Sequence, residues 1–216
     1  MKEFLAYAES HAEDILATLS HMVDMESFTA DKASTDALGG YIKGQLEGLG
    51  AQVRVVPQSE VGDHLVADIG EGDQQILLLC HMDTVWPTGT IQERPFRVED
   101  GIGYGPGILD MKAGIAIALH ALETLNAHNI APQQRIRIII NSDEEVGSTT
   151  SRQLIEDEAR KSVEVFCLEP GAGTEGALKT GRKGVGIFEV KVTGRAAHAG
   201  NEPEKGISAI EEMAHQ

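Results

Sequence analysis

The most strongly patterned part of the chain is a run of apolar residues over Gln75 to Cys80. No polar residue alternates between Ile76 and Leu79, which predicts a strand buried on both faces in a sheet that helices cover on both sides. The run stops at His81 and Asp83. The pattern therefore predicts polar groups at the carboxyl edge of the sheet, where open α/β folds build their sites.

The same analysis predicts further strands along the chain, over Val53 to Val56, His64 to Ile69, Arg135 to Asn141, and Val163 to Leu168. The last two are apolar enough to be buried strands. Helical spacing of apolar residues predicts helices over Glu3 to Met25, Leu38 to Leu49 with Ser34 or Thr35 as cap, Met111 to His128, and Ser148 to Ala159. This alternation predicts an α/β fold, a three-layer αβα domain with a mostly parallel mixed sheet.

The residue pattern changes after Gly176, where a basic segment rich in turn-forming residues begins. An alternating strand is predicted over Val185 to Thr193 and a helix over Ile207 to Gln216. We therefore predict one domain over residues 1–180, followed over residues 181–216 by the start of a second, smaller α+β domain.

Charge and composition exclude several classes of partner. Lys and Arg total 18 against 34 Asp and Glu, for a net charge of −16, which disfavours nucleic acid and anionic membranes. No apolar run approaches the roughly 18 residues of a membrane span. The first residues lack a signal-peptide core, so we expect a cytoplasmic protein. Cys80 and Cys167 lie in apolar runs, which favours buried free thiols over a disulfide.

A long irregular segment, Thr84 to Leu109, follows the first buried strand, and loops of this length are often functional. Its GIGYGPG run has some likeness to a dinucleotide-binding fingerprint. Pro106 stands where the third glycine should be, and no apolar strand immediately precedes the run. Nucleotide binding is therefore disfavoured.

Candidate chemistry lies where the predicted strands end. Singly, each residue has an ordinary explanation: His81 as a structural histidine, Asp110 as a helix cap, the Glu144–Glu145 pair as a helix N-terminus, and Glu169 as a loop acid. Together they concentrate carboxylates at one sheet edge, which is costly unless a cation neutralises them. Histidine with carboxylates suits zinc, and cobalt or manganese are alternatives.

Five motifs in this order complete the pattern: HMDTV, GPGILDMKAG, NSDEEVGS, LEP and GRAAHAG. They resemble the zinc-dependent aminoacylase and carboxypeptidase family of metallopeptidases. The likeness is greatest to its glutamate carboxypeptidases of the folate-cleaving type, above all over the stretch GALKTGRKGVGIFEVKVTGRAAHAGNEPEKG. The resemblance covers most of the chain.

The resemblance implies a site for two zinc ions. His81 and Glu169 would hold one ion, Glu145 would hold the second, and Asp110 would bridge both. The family's second metal also takes a histidine from near the far end of the chain, and no residue here matches it. The peptide bond after Asp110 is expected to be cis.

Three further residues take catalytic roles in the same resemblance. Glu144 corresponds to the general base, Asp83 to the acid that orients the metal-binding imidazole, and His198 to the group that approaches the substrate carbonyl, often across a dimer. The resemblance further implies that residues 1–180 are the amino-terminal part of a catalytic domain and that residues 181–216 begin a lid domain. The chain would then be the amino-terminal part of a longer enzyme, whose full-length form would be a homodimer through the lid domain.

The resemblance implies a hydrolase that removes a C-terminal glutamate-like residue from a peptide or N-acyl amino acid. An N-acyl amino acid deacylase or a dipeptidase of the same family is the alternative. A catalytically incomplete remnant, which binds one metal ion or none, is the hypothesis from another class.

Overall fold

The computed structural model describes residues 2–216. It divides into a first compact unit that ends at Ala177 and a second, Leu178–Gln216. The first unit contains every assigned strand and six of the seven α-helices.

The strands of the first unit are β1 (Gln52–Val56), β2 (His64–Ile69), β3 (Gln75–His81), β4 (Arg97–Glu99), β5 (Ile102–Tyr104), β6 (Arg135–Asn141) and β7 (Ser162–Cys167). Its helices are α1 (Lys2–Ser10), α2 (Ala12–Asp24), α3 (Lys32–Gly48), α4 (Thr90–Glu93), α5 (Ala113–Ala127) and α6 (Arg152–Lys161). The second unit contains α7 (Ala209–His215).

Five strands form the main sheet in the order β1-β2-β6-β3-β7. Strand β3 is parallel to both β6 and β7, whereas β2 is antiparallel to β6 and to β1. Four of the five strands therefore run in the same direction, and β2 alone runs the other way. The predicted α/β class with a mixed, mostly parallel sheet is confirmed.

Side chains alternate between two apolar layers, as the pleat of a strand requires. Ile138 and Ile140 of β6 pack with α2, α3 and α5 on one face. Ile139, between them, packs with Leu77 and with α6 on the other face. Helices thus cover both faces of the sheet, which explains why β3 and β6 read as continuous apolar runs.

Local signals placed several helix ends incorrectly. The amino-terminal helical pattern is two helices that break at His11. Helix α3 begins earlier than predicted, because the side chain of Asp31 accepts a hydrogen bond from the Ser34 amide and caps the helix. The GIGYGPG run contributes a short strand, β5, to a two-stranded ribbon rather than a turn that opens a helix.

Val163 to Leu168 was predicted to form a buried strand, and the predicted burial was wrong. Strand β7 forms, but it is the last strand of the sheet, and Val163, Val165 and Phe166 are about half exposed. Cys80 is buried as predicted, whereas Cys167 on β7 is exposed. An apolar strand is buried on both faces only where neighbouring elements cover it, and β7 has a strand on one side only among residues 2–216.

The second unit has little regular structure. Residues 185–193, predicted as a strand, form no ladder with any part of the described chain, and Val185, Ile187 and Phe188 are each more than 90% exposed. A strand needs a hydrogen-bonded neighbour, which the alternating pattern alone does not supply. Helix α7 is shorter than predicted and is capped by the Ser208 hydroxyl, which accepts from the Glu211 amide.

None of the helices over residues 2–216 is both long and apolar enough to pass through a bilayer.

A buried ion-pair cluster ties the amino ends of the central strands together. Glu158 of α6, 5% exposed, accepts a hydrogen bond from Gln75 at 3.2 Å and from Lys161 at 2.8 Å, and it also pairs with Arg137. Arg137 in turn forms two 2.8 Å contacts with Asp68. Burial raises the pKa of Glu158, but hydrogen bonds from Lys161 and Gln75 and the charge of Arg137 outweigh it, so the pKa lies below its ordinary 4.5.

We predict that the substitution Glu158→Gln lowers stability at neutral pH by roughly 3 kcal/mol, because it leaves a buried cation partly unpaired. A depressed carboxyl pKa contributes stability that is present above pH 4.5 and is lost as the pH falls through the folded-state value. The difference between wild type and variant should therefore shrink below pH 4.5. Urea unfolding midpoints between pH 7 and the acid limit test this, and a difference independent of pH would contradict it.

Candidate metal centre

The site forms where the parallel strands β6, β3 and β7 end at one edge of the sheet. His81 closes β3 and is paired in register with Asn141, the last residue of β6. The turn Glu144–Val146 follows β6, and Glu169 lies just beyond the end of β7. The strands alone therefore bring the imidazole and these acids to a common edge.

The imidazole of His81, 1% exposed, is the centre of the cluster. Its Nε2 lies 3.0 Å from Oδ1 of Asp110, 3.1 Å from Oε1 of Glu169 and 3.9 Å from Oε2 of Glu144. Asp110 and Glu144 are about half exposed, whereas Glu169 is more enclosed. The acids thus surround a buried nitrogen while their outer sides remain open to solvent.

Asp110 reaches the site from an irregular turn, Ile108–Lys112, that precedes α5. Its peptide bond to Met111 is cis, so this expectation is confirmed. The buried side chain of Met111 accepts a hydrogen bond from the backbone amide of His81 at its sulfur, 3.0 Å away. The turn is thereby fixed directly to the end of β3.

Two glycines allow the backbone to approach closely here. Gly107 has φ +67°, and a Cβ at this position would collide with the side chain of Thr84. Gly114, at the start of α5, lies so near the carbonyl of Leu168 that a Cβ would overlap it. These contacts bring the Asp110 turn against the end of β7, next to Glu169.

Asp83 is fully buried and joins three parts of the site. Its Oδ2 accepts hydrogen bonds from the Thr29 hydroxyl at 2.8 Å and the Glu145 amide at 3.2 Å, and its Oδ1 accepts from the Glu144 amide at 3.2 Å. Nδ1 of His81 lies 3.0 Å from the backbone carbonyl of Asp83 and 3.4 Å from its carboxylate. Because a carbonyl can only accept, Nδ1 carries the proton and Nε2 faces the acids.

Electrostatics at the site reflect an excess of negative charge. Burial lowers the pKa of His81, but hydrogen bonds and charges of Asp83 and Glu169 outweigh it and raise the pKa to about 11. Burial, with the charges of Asp110 and Glu144, raises the pKa of Glu145 to about 6. Burial also raises the pKa of Glu144. The cluster therefore favours a positive charge at its centre.

Among residues 2–216, His81, Asp110 and Glu169 form the one group of three or more His, Cys, Asp or Glu residues whose potential metal-binding atoms all lie within 4.8 Å of one another. A tetrahedral zinc ion with bonds of about 2.1 Å holds its ligands about 3.4 Å apart. The separations of 3.0 and 3.1 Å around Nε2 are near this value. The chemistry of the donor set, one imidazole nitrogen and two carboxylate oxygens, therefore fits a divalent cation such as zinc.

The predicted site residues fall into three groups. His81, Asp110 and Glu169 form the donor set, with Glu144 beside it and Asp83 beneath it. Glu145 lies on the same turn as Glu144, outside the three-residue group. His198 belongs to the second unit, where its Nδ1 accepts hydrogen bonds from the amides of Gly200 and Asn201, each at 3.1 Å.

Sequence analysis missed two residues that support this site, Thr29 and Met111. Thr29 lies in the segment between α2 and α3 and meets Asp83 across 54 positions of sequence. No periodicity or motif marks it. Met111 stood inside a quoted motif, but its sulfur contact with the His81 amide depends on the turn geometry.

Residues 77–216 match the sequence profile of peptidase family M20/M25/M40. The chain belongs to this family. The metallopeptidase family expected from the five motifs is thereby confirmed, and members of the M20 family are metal dependent. The matched range includes every predicted site residue.

Two curated relatives of this M20 chain extend the comparison. Carboxypeptidase G2 of Pseudomonas sp. (strain RS-16) is 38% identical over 201 residues, which is 92% of this chain and 48% of that protein. Acetylornithine deacetylase of Pasteurella multocida (strain Pm70) is 28% identical over 218 residues, 99% of this chain and 54% of that protein. The chain thus spans about half the length of the curated relatives it matches.

A solved tripeptidase from Staphylococcus aureus subsp. aureus Mu50 has a similar fold, with a TM-score of 0.70 at 21% identity. The match covers 93% of this chain and 54% of that one. The likeness supports the α/β fold of the M20 chain.

We predict that the protein retains zinc on dialysis and that His81→Ala loses it, because the substitution removes the only nitrogen of the donor set. His120→Ala is the matched control, since His120 pairs with one carboxylate, Glu123, at 2.7 Å on another part of the surface. Elemental analysis after dialysis measures the metal. Equal zinc in wild type and His81→Ala would contradict the site.

Proposed function

We propose that the protein is a zinc-dependent hydrolase that cleaves an amide bond and removes a C-terminal glutamate-like residue from a peptide or N-acyl amino acid. The observation that carries the proposal is the grouping of His81, Asp110 and Glu169, with a half-exposed Glu144 beside it. The 38% identity to a carboxypeptidase over 92% of the chain supports removal of a C-terminal residue, and the motif resemblance supports a glutamate-like one.

His81, Asp110 and Glu169 would hold the first zinc ion. Glu145, with Asp110 shared between the two, would contribute to a second. Zinc, when bound, supplies Lewis acidity, which polarises a carbonyl and lowers the pKa of water. Cobalt or manganese would serve the same donor set.

Glu144 is proposed as the general base. Its Oε2 lies 3.9 Å from Nε2 of His81, at the open side of the cluster. Burial and the neighbouring carboxylates raise its pKa, although the charge of His81 opposes this, and a raised value brings a carboxylate closer to neutral operating pH. In this role Glu144 accepts a proton from water and then passes it to the departing amine.

Asp83 and His198 have supporting roles in this proposal. Asp83 accepts the Nδ1–H of His81 at its backbone carbonyl, which directs Nε2 toward the acids, where it would exchange its proton for a metal ion. Because two amides point at Nδ1 of His198, its neutral ring carries the proton on Nε2. That N–H would stabilise the oxyanion, a contribution of about 3 kcal/mol for one donor.

An N-acyl amino acid deacylase is the second candidate, supported by the 28% identity to an acetylornithine deacetylase over 99% of the chain. The second unit, Leu178–Gln216, is proposed as part of a lid domain through which the full-length protein forms a homodimer. Comparing release of glutamate from an acyl-glutamate with release of acetate from N-acetyl amino acids by the zinc-loaded full-length protein separates the two candidates. Absence of glutamate release from every acyl-glutamate would reject the first.

We predict that Glu144→Gln slows hydrolysis at least about 100-fold, because it removes the group that accepts the proton. Its zinc content should stay close to that of wild type, because Glu144 lies outside the donor set. Steady-state hydrolysis and elemental analysis measure the two quantities. The exposed Glu71, in the turn between β2 and β3, lies at the opposite edge of the sheet, so Glu71→Gln makes the same change of charge and should leave both unchanged.

Joint loss of zinc and hydrolysis in Glu144→Gln would show that Glu144 binds metal rather than acting as the base.

A further inference from the structure

The loop from Asn141 to Ser151, which leads from β6 to α6, carries Glu144 and Glu145 and has a buried carboxylate at its centre. The side chain of Asp143 is 0% exposed. Its carboxylate is hydrogen-bonded to Asn141, Thr150 and Ser151 rather than to His81, and the proposed chemistry does not use it. A buried carboxylate is costly unless hydrogen bonds compensate it, so its partners indicate its role.

Five hydrogen bonds converge on the Asp143 carboxylate. Oδ1 accepts from the Asn141 side-chain amide at 3.1 Å and from the Ser151 hydroxyl at 2.6 Å. Oδ2 accepts from the Thr150 amide at 2.7 Å, the Thr150 hydroxyl at 2.8 Å and the Ser151 amide at 3.3 Å. The carboxylate thus joins the first residue of the loop to the last two.

The network continues to strand β2. Because the Thr150 hydroxyl donates its proton to Asp143, it accepts from Nε2–H of His64, 3.0 Å away. Nδ1 of the same buried ring accepts from the Ser142 amide at 3.2 Å. Both ends of the loop are therefore tied to the same residue of β2.

The opposite side of the turn is held by Asp83. Its two carboxylate oxygens accept hydrogen bonds from the backbone amides of Glu144 and Glu145, each at 3.2 Å. Glu144 and Glu145 are thus held between two buried carboxylates, one just beyond the end of β3 and one just beyond the end of β6. Asp83 orients the two amides, and Asp143 closes the loop on which they lie.

We propose that Asp143 is a positioning residue, whose carboxylate closes the Asn141–Ser151 loop and so holds Glu144 and Glu145 toward His81. It touches neither metal nor substrate in this role. Its effect on metal and catalysis rests on the proposed function, whereas its effect on the turn does not.

The contacts require a carboxylate rather than an amide of the same shape. N–H donors face both oxygens, from Asn141 on one side and from the backbone of Thr150 and Ser151 on the other. An asparagine that turned its NH₂ group toward Thr150 and Ser151 would set a donor against two backbone donors. In the opposite orientation the Asn141 side-chain amide would have to reverse and the Ser151 hydroxyl would have to accept instead of donate. Asp143→Asn therefore weakens the closure of the loop, because it removes charge-assisted hydrogen bonds with little change in volume.

The test compares Asp143→Asn with Glu158→Gln in the full 216-residue chain. Glu158 is the matched control, because it is also a buried carboxylate with several donors but lies at the amino ends of the strands. Both variants should lower the urea midpoint. Hydrogen exchange of individual amides by NMR, without added metal, reports the turn directly.

We expect the amides of Glu144 and Glu145 to exchange at least about tenfold faster in Asp143→Asn, with no such local change in Glu158→Gln. Zinc affinity should fall about tenfold in Asp143→Asn alone, as is typical when a group that orients a metal site is removed. The visible spectrum of the cobalt-loaded protein should change in the same variant. If Asp143→Asn does not fold, Ser151→Ala removes one donor and should show a smaller change in the same amides.

Wild-type exchange at Glu144 and Glu145 in the Asp143 variant, or equal acceleration in both variants, would overturn the proposal. Failure of the wild-type chain to bind zinc or cobalt would count against the proposed function. The exchange measurement would still decide the role of Asp143, because it needs no metal.

Discussion

The placement of one buried imidazole among carboxylates is the constraint on which the rest of the site depends. Nε2 of His81 has three acid oxygens within 3.9 Å, and a fourth carboxylate, that of Asp83, lies 3.4 Å from Nδ1. Like charges this close repel unless a cation lies between them. The structure holds them by attaching each acid to a different element, so that moving any one requires movement of the sheet, the Asp110 turn or the loop after β6.

The site has an exposed upper layer and a buried lower layer. Asp110 and Glu144 are open to solvent, as groups that meet a metal ion or a substrate must be. Beneath them, Asp83 and Asp143 are fully buried, and their carboxylates accept hydrogen bonds from the segment before α3, from the turn after β6 and from the residue that precedes α6. Solvent-exposed side chains on loops are mobile by default, and a buried carboxylate with several donors restrains the backbone beneath them.

The two ends of the sheet use buried charge differently. At the amino ends, Glu158 and Arg137 neutralise each other directly, so that this cluster is complete within the described residues. At the carboxyl ends, acids outnumber bases around His81, and the local charge is left negative. A neutralised ion-pair cluster stabilises the fold, whereas a cluster with excess negative charge attracts a cation. This difference distinguishes the structural edge of the sheet from the edge that carries the candidate site.

Sequence alone determined the fold class, the central strands and the positions of His81, Asp110, Glu144, Glu145 and Glu169 at strand ends or beside them. Those features come from local patterns: apolar runs, glycine-flanked turns and short motifs. The tertiary structure alone decided that Thr29 supports Asp83 and that Asp143 and His64 brace one loop. It also decided that apolar side chains of β7 and of residues 185–193 are exposed to solvent within residues 2–216. Contacts between residues far apart in sequence leave no periodic signal, and a strand's burial depends on neighbours that its own sequence does not specify.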